Sequence, residues 1–309
     1  MGTKLENAVA VLNGLVGDHL VRTNNGLATE MACIRDGAPV TTFPAASGKI
    51  AVLLHGIMCT ESIWTLPDGN DYGSMLARDL GYTPVYVRYN SGRAIADNGA
   101  ALATLLDSVT TAWPVPVEAI VPIGFSMGGL VVRSACHHAA EGAHAWLAHV
   151  RDAVYVGTPH LGAPLERAGR VLNRLLHAVP DPTTRLLAQI ADLRSDGVKD
   201  LGDADLRHAD RARRGLQFGL RDPRHPVPLL PGIRHHLVAG ALSGDPWLAE
   251  LFGDSIVPVS SGTGGGRVAT SEAPLRPEHV RLVTGATHVS LAHHPGVYAH
   301  IHEWLREAT

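Results

Sequence analysis

Gly124-Phe125-Ser126-Met127-Gly128 sets a serine between two glycines, where the apolar run VEAIVPIG (117–124) gives way to the helix-competent run GLVVRSA (129–135). A Gly-x-Ser-x-Gly segment with a strand before it and a helix after it is the setting in which a serine hydroxyl stands clear of a sheet as a nucleophile. The plainer reading is a glycine turn with an incidental serine. On the chemical reading, the two glycines permit the sharp, strained turn, and the free N–H groups at the helix start face a developing negative charge. Serine is a weak nucleophile at neutral pH. It needs an imidazole base within hydrogen-bond reach and a carboxylate to orient that base.

In strand–turn–helix sites the acid and then the base follow the serine along the chain. Among 18 histidines, His288 lies just past the apolar run HVRLVTGA (279–286) and ahead of the closing helix. A loop at that place reaches the top of the sheet. His293 and His294 fall near the start of the last helix and His300 and His302 within it, so these read as structural. For the acid, Asp254 in LFGDSIVPVSSG (251–262) precedes a short apolar segment. Its competitor, Asp245, sits in an Asp-Pro pair that reads as a turn or helix cap. An oxyanion needs two backbone N–H donors. Met127, after the serine, supplies one. Ile57, in KIAVLLHGIMCTESIW (49–64), supplies the other, with Gly56 allowing the unusual backbone that turns it inward. His55 reads as a brace for that loop. Met58 and Trp64 are expected near the mouth of the site as substrate contacts.

These residues need a scaffold. The runs KIAVLLHG (49–56), TPVYVRYN (83–90), VEAIVPIG, RDAVYVGT (151–158), RHHLVAGA (234–241) and HVRLVTGA are continuously apolar rather than alternating, as in strands buried on both faces of a parallel sheet. Helical stretches at 71–80, 94–112 and 129–149 lie between them, so an α/β fold with its catalytic loops at the strand C-termini is expected. TEMACIR and PVTTF read as extended segments that start the sheet. Residues 4–20 read as a helix, with Leu5, Val9, Leu12 and Val16 at helical spacing. Residues 159–233 are far more than a crossover needs, and they carry leucine stripes at Leu172, Leu175, Leu176 and at Leu186, Leu187, Ile190, Leu193. A helical cap over 164–234 is expected, inserted in a core of 1–163 and 235–309, with 1–37 as a helical N-terminal extension.

With 309 residues, 45% hydrophobic and 18% charged, the chain is an ordinary globular protein, and a net charge of −3 gives no field for nucleic acid. Three scattered cysteines suit neither a disulfide framework nor a cysteine-rich metal site. No His-Glu-x-x-His is present, and Gly262–Gly266 lacks the Gly-Lys-Ser/Thr of a phosphate loop, so neither metal nor cofactor is expected. The N-terminal apolar stretch is broken by Asn13 and Gly14, and Glu6 stands where an acylation signal needs Ser or Thr. The expected compartment is therefore the cytoplasm.

The segments HGIMCTESIW, GFSMGGLVVRSA, VGTPHLGAPLER, FGDSIVPVSS and GATHVSLAHHPGVY together resemble the α/β-hydrolase superfamily, and within it bacterial lipases and esterases, including the branch near the GPI inositol-deacylase-like enzymes. The resemblance implies Ser126 as nucleophile, Asp254 as acid, His288 as base, and Ile57 and Met127 as oxyanion donors. It places Thr158-Pro159-His160-Leu161-Gly162 at the pocket floor or the base of the cap, where His160 is either a lining or a structural residue. The implied activity is hydrolysis of medium-chain or lipid-like esters without a cofactor, with transient contact at a lipid interface. Acyl transfer through the same acyl-enzyme and a non-catalytic binding module are the rival readings.

Overall fold

Each of the six apolar runs forms a strand of one sheet; five lie inside it, and HVRLVTGA forms an edge, with Leu282 46% exposed, so that run is not buried on both faces as its sequence suggests. The structure, a computed structural model, describes residues 4–162, 195–209, 227–242, 254, 257–264 and 267–307. Its elements in chain order are α1 (Lys4–Arg22), β1 (Ala32–Arg35), β2 (Ala38–Val40), β3 (Lys49–Leu54), α2 (Tyr72–Leu80), β4 (Thr83–Arg88), α3 (Ile95–Thr111), β5 (Ala119–Phe125), α4 (Met127–Glu141), β6 (Asp152–Val156), α5 (Asp196–Asp203), β7 (Arg234–Ala241), α6 (Val259–Gly262), β8 (Val280–Thr284), α7 (His288–Leu291) and α8 (Pro295–Arg306). The eight strands lie in the order β2-β1-β4-β3-β5-β6-β7-β8. β1 pairs antiparallel with β2 and β4, and every pair from β4 to β8 is parallel.

Strand β3 shows why the centre reads as continuous apolar sequence. Ile50, Val52 and Leu54 point into the core on one face, and Ala51 and Leu53 into the core on the other. The first core holds Leu102 and Leu106 of α3 with Leu130, Val131 and Ala135 of α4. The second holds Tyr72 and Leu76 of α2 with Ile301, Trp304 and Leu305 of α8. Local chemistry sets several boundaries. Asp71 caps α2 in a reciprocal box with Ser74, and Gly81 closes that helix in the left-handed conformation, φ 72°. The helical run read over 129–149 is interrupted: α4 ends at Glu141, and a separate 3₁₀ turn covers Ala145–His149.

The N-terminal helix forms, but on a different face from the one its leucine and valine spacing suggests. Leu5 is 73% exposed, and the buried residues are Val11, Asn13, Gly14, Leu15, Gly17 and Leu20. A kink at Val16 (φ −137°, ψ 20°) separates its two glycines. Most of the expected cap, 164–234, lies outside the described residues. Its described parts pack on the core: Val198, Leu201, Leu206 and Val227 join the apolar cluster of α3 and α4. No helix among the described residues is long and apolar enough to cross a membrane.

Two core histidines make stability depend on pH. On β7, His235 donates from Nε2 to the Leu230 carbonyl (2.9 Å) and accepts at Nδ1 from the Tyr155 hydroxyl (2.9 Å). Burial pushes His235 and likewise His55 down to about 4. The unfolded chain therefore binds more protons between that value and the ordinary value of about 6.5, and stability falls as pH drops through the interval, by on the order of 3 kcal/mol per group. Urea unfolding midpoints are expected to drop from pH 7 to pH 4.5, and to drop less in His235→Gln.

Candidate active site

The turn between β5 and α4 is built around a strained serine. Ser126 has φ 53° and ψ −122°, a conformation that costs about 1–3 kcal/mol for a residue with a side chain. Its N–H donates to the Val156 carbonyl at 2.8 Å, tying the turn to the end of β6. The flanking glycines do not carry the left-handed conformation, which falls on Ser126 itself. Their role is close approach. A Cβ on Gly128 would lie 2.4 Å from the His55 carbonyl oxygen, and one on Gly124 would lie 2.5 Å from the Gly129 backbone. Helix α4 can thus begin directly against the end of β3.

Asp254 and His288 reach the same place from the ends of β7 and β8. His288 opens α7 behind Thr287, which forms a reciprocal capping box with Ser290. The His288 N–H donates to the Asp254 carbonyl at 3.0 Å, so backbone as well as side chain joins the pair. His288 Nδ1 lies 2.7 Å from Asp254 Oδ2, and Nε2 lies 2.8 Å from Ser126 Oγ. A carboxylate can only accept, so Nδ1 carries the proton and Nε2 accepts from the serine hydroxyl. The other Asp254 oxygen accepts the Val257 N–H at 2.8 Å. All three side chains are buried, at 5% exposure or less, where hydrogen bonds are electrostatically stronger than in water. Two further glycines make room. A Cβ on Gly240 would lie 2.9 Å from Asp254 Cβ, and one on Gly157, whose φ is 59°, would lie 3.2 Å from His288 Cε1.

The loop after β3 supplies Ile57. Gly56 is again a matter of space rather than of backbone angle: its Cβ would meet the Phe125 ring at 3.0 Å and Ser126 Cβ at 3.2 Å. The left-handed residue of the loop is Met58, φ 59°. Its N–H donates to Ser91 Oγ at 3.0 Å. His55 braces the loop by donating from Nδ1 to the Gly56 carbonyl (2.7 Å) and stacking on Tyr89 at 4.4 Å, while the Tyr89 hydroxyl donates to the His55 carbonyl (2.9 Å). Met127 follows the serine directly, and Gly56, the residue before Ile57, abuts Ser126 Cβ.

Trp64, Met58 and His160, which the sequence places at or near the pocket, all have buried side chains. Trp64 is fully buried in the core between the sheet and α2, against Tyr72 (5.5 Å) and Phe125 (6.3 Å). Met58 is buried, its side chain turned toward Gly14 of α1. His160 is buried too: its Nδ1 accepts from Arg133 at 3.2 Å, and its ring meets the edge of Tyr155 at 5.1 Å. Burial holds His160 well below the ordinary histidine range and pulls Arg133 down to about 10. In each case packing against elements distant in sequence decides the side chain's direction. Sequence reasoning passed over Tyr89 and Ser91. They lie just past β4, at the same sheet end as the other loops, and that placement is the signal that could have found them. Among the described residues, no group of three or more His, Cys, Asp or Glu side chains is placed to hold a metal ion.

A mostly parallel sheet flanked by helices, with a serine on a strand–helix turn, defines the α/β-hydrolase fold. The likeness of one solved structure bears on the same point. The mature form of a Bacillus licheniformis lipase matches with a TM-score of 0.51 at 20% identity, over 89% of this chain and 97% of that one. The propeptide form of that lipase matches at 0.49 and 20% identity over 84% of this chain, which spans only 51% of that longer chain. A lipase B from Aspergillus fumigatus matches at 0.49 and 13% identity, over 83% of this chain and 53% of that one. No family model and no curated protein matches the chain.

Gly157→Ala places a methyl group against the His288 ring. The downfield imidazole N–H resonance of the His288–Asp254 hydrogen bond, followed by proton NMR, is expected to shift or disappear in that variant. An unchanged resonance contradicts the tight fit described here.

Proposed function

We propose that the protein is a serine carboxylic-ester hydrolase of the esterase/lipase type. One observation carries the reading: the His288 ring lies between Ser126 Oγ (2.8 Å) and the Asp254 carboxylate (2.7 Å). His288 Nε2 takes the Ser126 proton as Oγ attacks the ester carbonyl. Ile57 and Met127 N–H groups stabilise the oxyanion, at about 3 kcal/mol per donor. Asp254 stabilises the imidazolium and holds its tautomer. The imidazolium then protonates the leaving alcohol, and water, activated by the same base, releases the acid. No step requires a metal or an organic cofactor.

The substrate class is an ester with an apolar acyl group of medium length or lipid character. The two leucine stripes in the sequence of segment 164–234 support this reading, with that segment acting as a cap. The motifs HGIMCTESIW and VGTPHLGAPLER support a placement near the GPI inositol-deacylase-like branch. Burial of all three side chains also favours a second reading, acyl transfer to an alcohol with water kept out. Product analysis with a competing alcohol separates the two.

Ser126→Ala is expected to lower p-nitrophenyl ester turnover by at least about 10⁴-fold with no loss of folded content by circular dichroism; retained hydrolysis removes the proposal. Across C2 to C16 p-nitrophenyl esters, kcat/KM is expected to peak at medium chain length. A strict preference for acetate contradicts the apolar acyl site.

A further inference from the structure

Helix α1 carries two glycines, Gly14 and Gly17, on its buried face. Interior helix glycines are unfavourable by about 1 kcal/mol each relative to alanine, so each calls for a reason. A Cβ on Gly14 would lie 2.2 Å from Met58 Cγ and 3.2 Å from the Met58 backbone nitrogen. A Cβ on Gly17 would lie 1.9 Å from Asn90 Oδ1. The fit is reciprocal, since a Cβ on Gly92 would lie 2.0 Å from the Asn13 carbonyl oxygen. Both notches therefore receive loops at the catalytic end of the sheet, the one after β3 and the one after β4.

Hydrogen bonds fasten this contact. Asn90 Nδ2 donates to the Gly17 carbonyl at 3.0 Å, and Asn90 Oδ1 accepts the Gly92 N–H at 3.0 Å. Ser195 Oγ donates to the Gly14 carbonyl at 2.7 Å. Asn13 also fixes α1: its side chain donates to the Leu27 carbonyl and accepts the Thr29 N–H, both at 2.8 Å. Met58 is thus held twice, by Ser91 Oγ at its N–H and by the Gly14 notch at its side chain.

We propose that α1 is a positioning element for the oxyanion loop, with Gly14 and Ser91 together fixing the Ile57–Met58 peptide and, through it, the adjoining Gly56–Ile57 peptide that carries the Ile57 N–H. The proposal rests on the reading of Ser126 as nucleophile and Ile57 as donor. A donor aimed at the transition state loses most of its effect when displaced by about 1 Å, which can cost up to about 100-fold in rate. Such a loss falls on kcat and leaves KM nearly unchanged, because the oxyanion is absent from the bound substrate. The helix thereby becomes part of the catalytic apparatus without touching the substrate.

The test compares wild type, Gly14→Ala, Met58→Ala, Gly14→Ala/Met58→Ala and Ser91→Ala with p-nitrophenyl esters. Gly14→Ala is expected to lower kcat about tenfold, with KM and the pH profile of kcat/KM unchanged, since the Ser126–His288–Asp254 line is not disturbed. Relative to Met58→Ala alone, adding Gly14→Ala is expected to cost less than about twofold, because the clashing Cγ is gone. Ser91→Ala adds no atoms, and it is expected to show the same kcat-only loss. Wild-type kcat in both Gly14→Ala and Ser91→Ala overturns the proposal. So does an equal loss from Gly14→Ala with and without the Met58 side chain, which marks α1 as a general stabiliser. Hydrogen exchange of the Met58 amide gives a readout independent of turnover, and faster exchange is expected in Gly14→Ala. If wild type and Ser126→Ala hydrolyse esters equally, the functional reading fails while the exchange result still reports on the helix–loop coupling.

Discussion

A serine held at φ 53° sets the terms for everything around it. The conformation costs free energy, so it persists only where neighbours over-determine it. Here the neighbours are backbone. The Ser126 N–H is bound to the end of β6, and α4 starts hard against the end of β3 because Gly128 has no Cβ. The strain lies on the residue whose hydroxyl stands out of the sheet, and the glycines beside it serve to let helix and strand touch.

From that point the requirements pass outward through strand ends. β6 must stop where Val156 can accept the Ser126 N–H, and the next residue, Gly157, must leave space for an imidazole. β7 and β8 must be parallel neighbours so that Asp254 and His288, from the loops beyond them, meet through both backbone and side chain. The regular pairing of a parallel sheet supplies this alignment. It brings residues far apart in the chain to one edge and leaves the loops to place the chemical groups.

The N-terminal helix belongs to the same system. It docks on the loops after β3 and β4, and a described part of 195–209 docks on it through Ser195. The kink at Val16 and the two glycines make the helix conform to those loops. Its exposed Leu5 and buried Asn13 follow from that fit, whereas an amphipathic pattern alone would bury the leucine and expose the asparagine.

Much of the fold was legible because it depends on local, periodic signals. Doubly buried strands must be continuously apolar, and the chain order of serine, acid and histidine limits where each can sit. Those signals singled out Ser126, Asp254 and His288, whose side chains the structure brings into one hydrogen-bonded line. What only the tertiary structure decided was direction and space. Trp64, Met58 and His160 turn inward because α2, α1 and α4 with β6 pack against them. Glycines as different in context as Gly14, Gly128 and Gly157 each clear a contact with a residue distant in the sequence. A glycine reads the same wherever it stands, and what a missing Cβ makes room for is a property of the neighbour, which the chain's own order does not name.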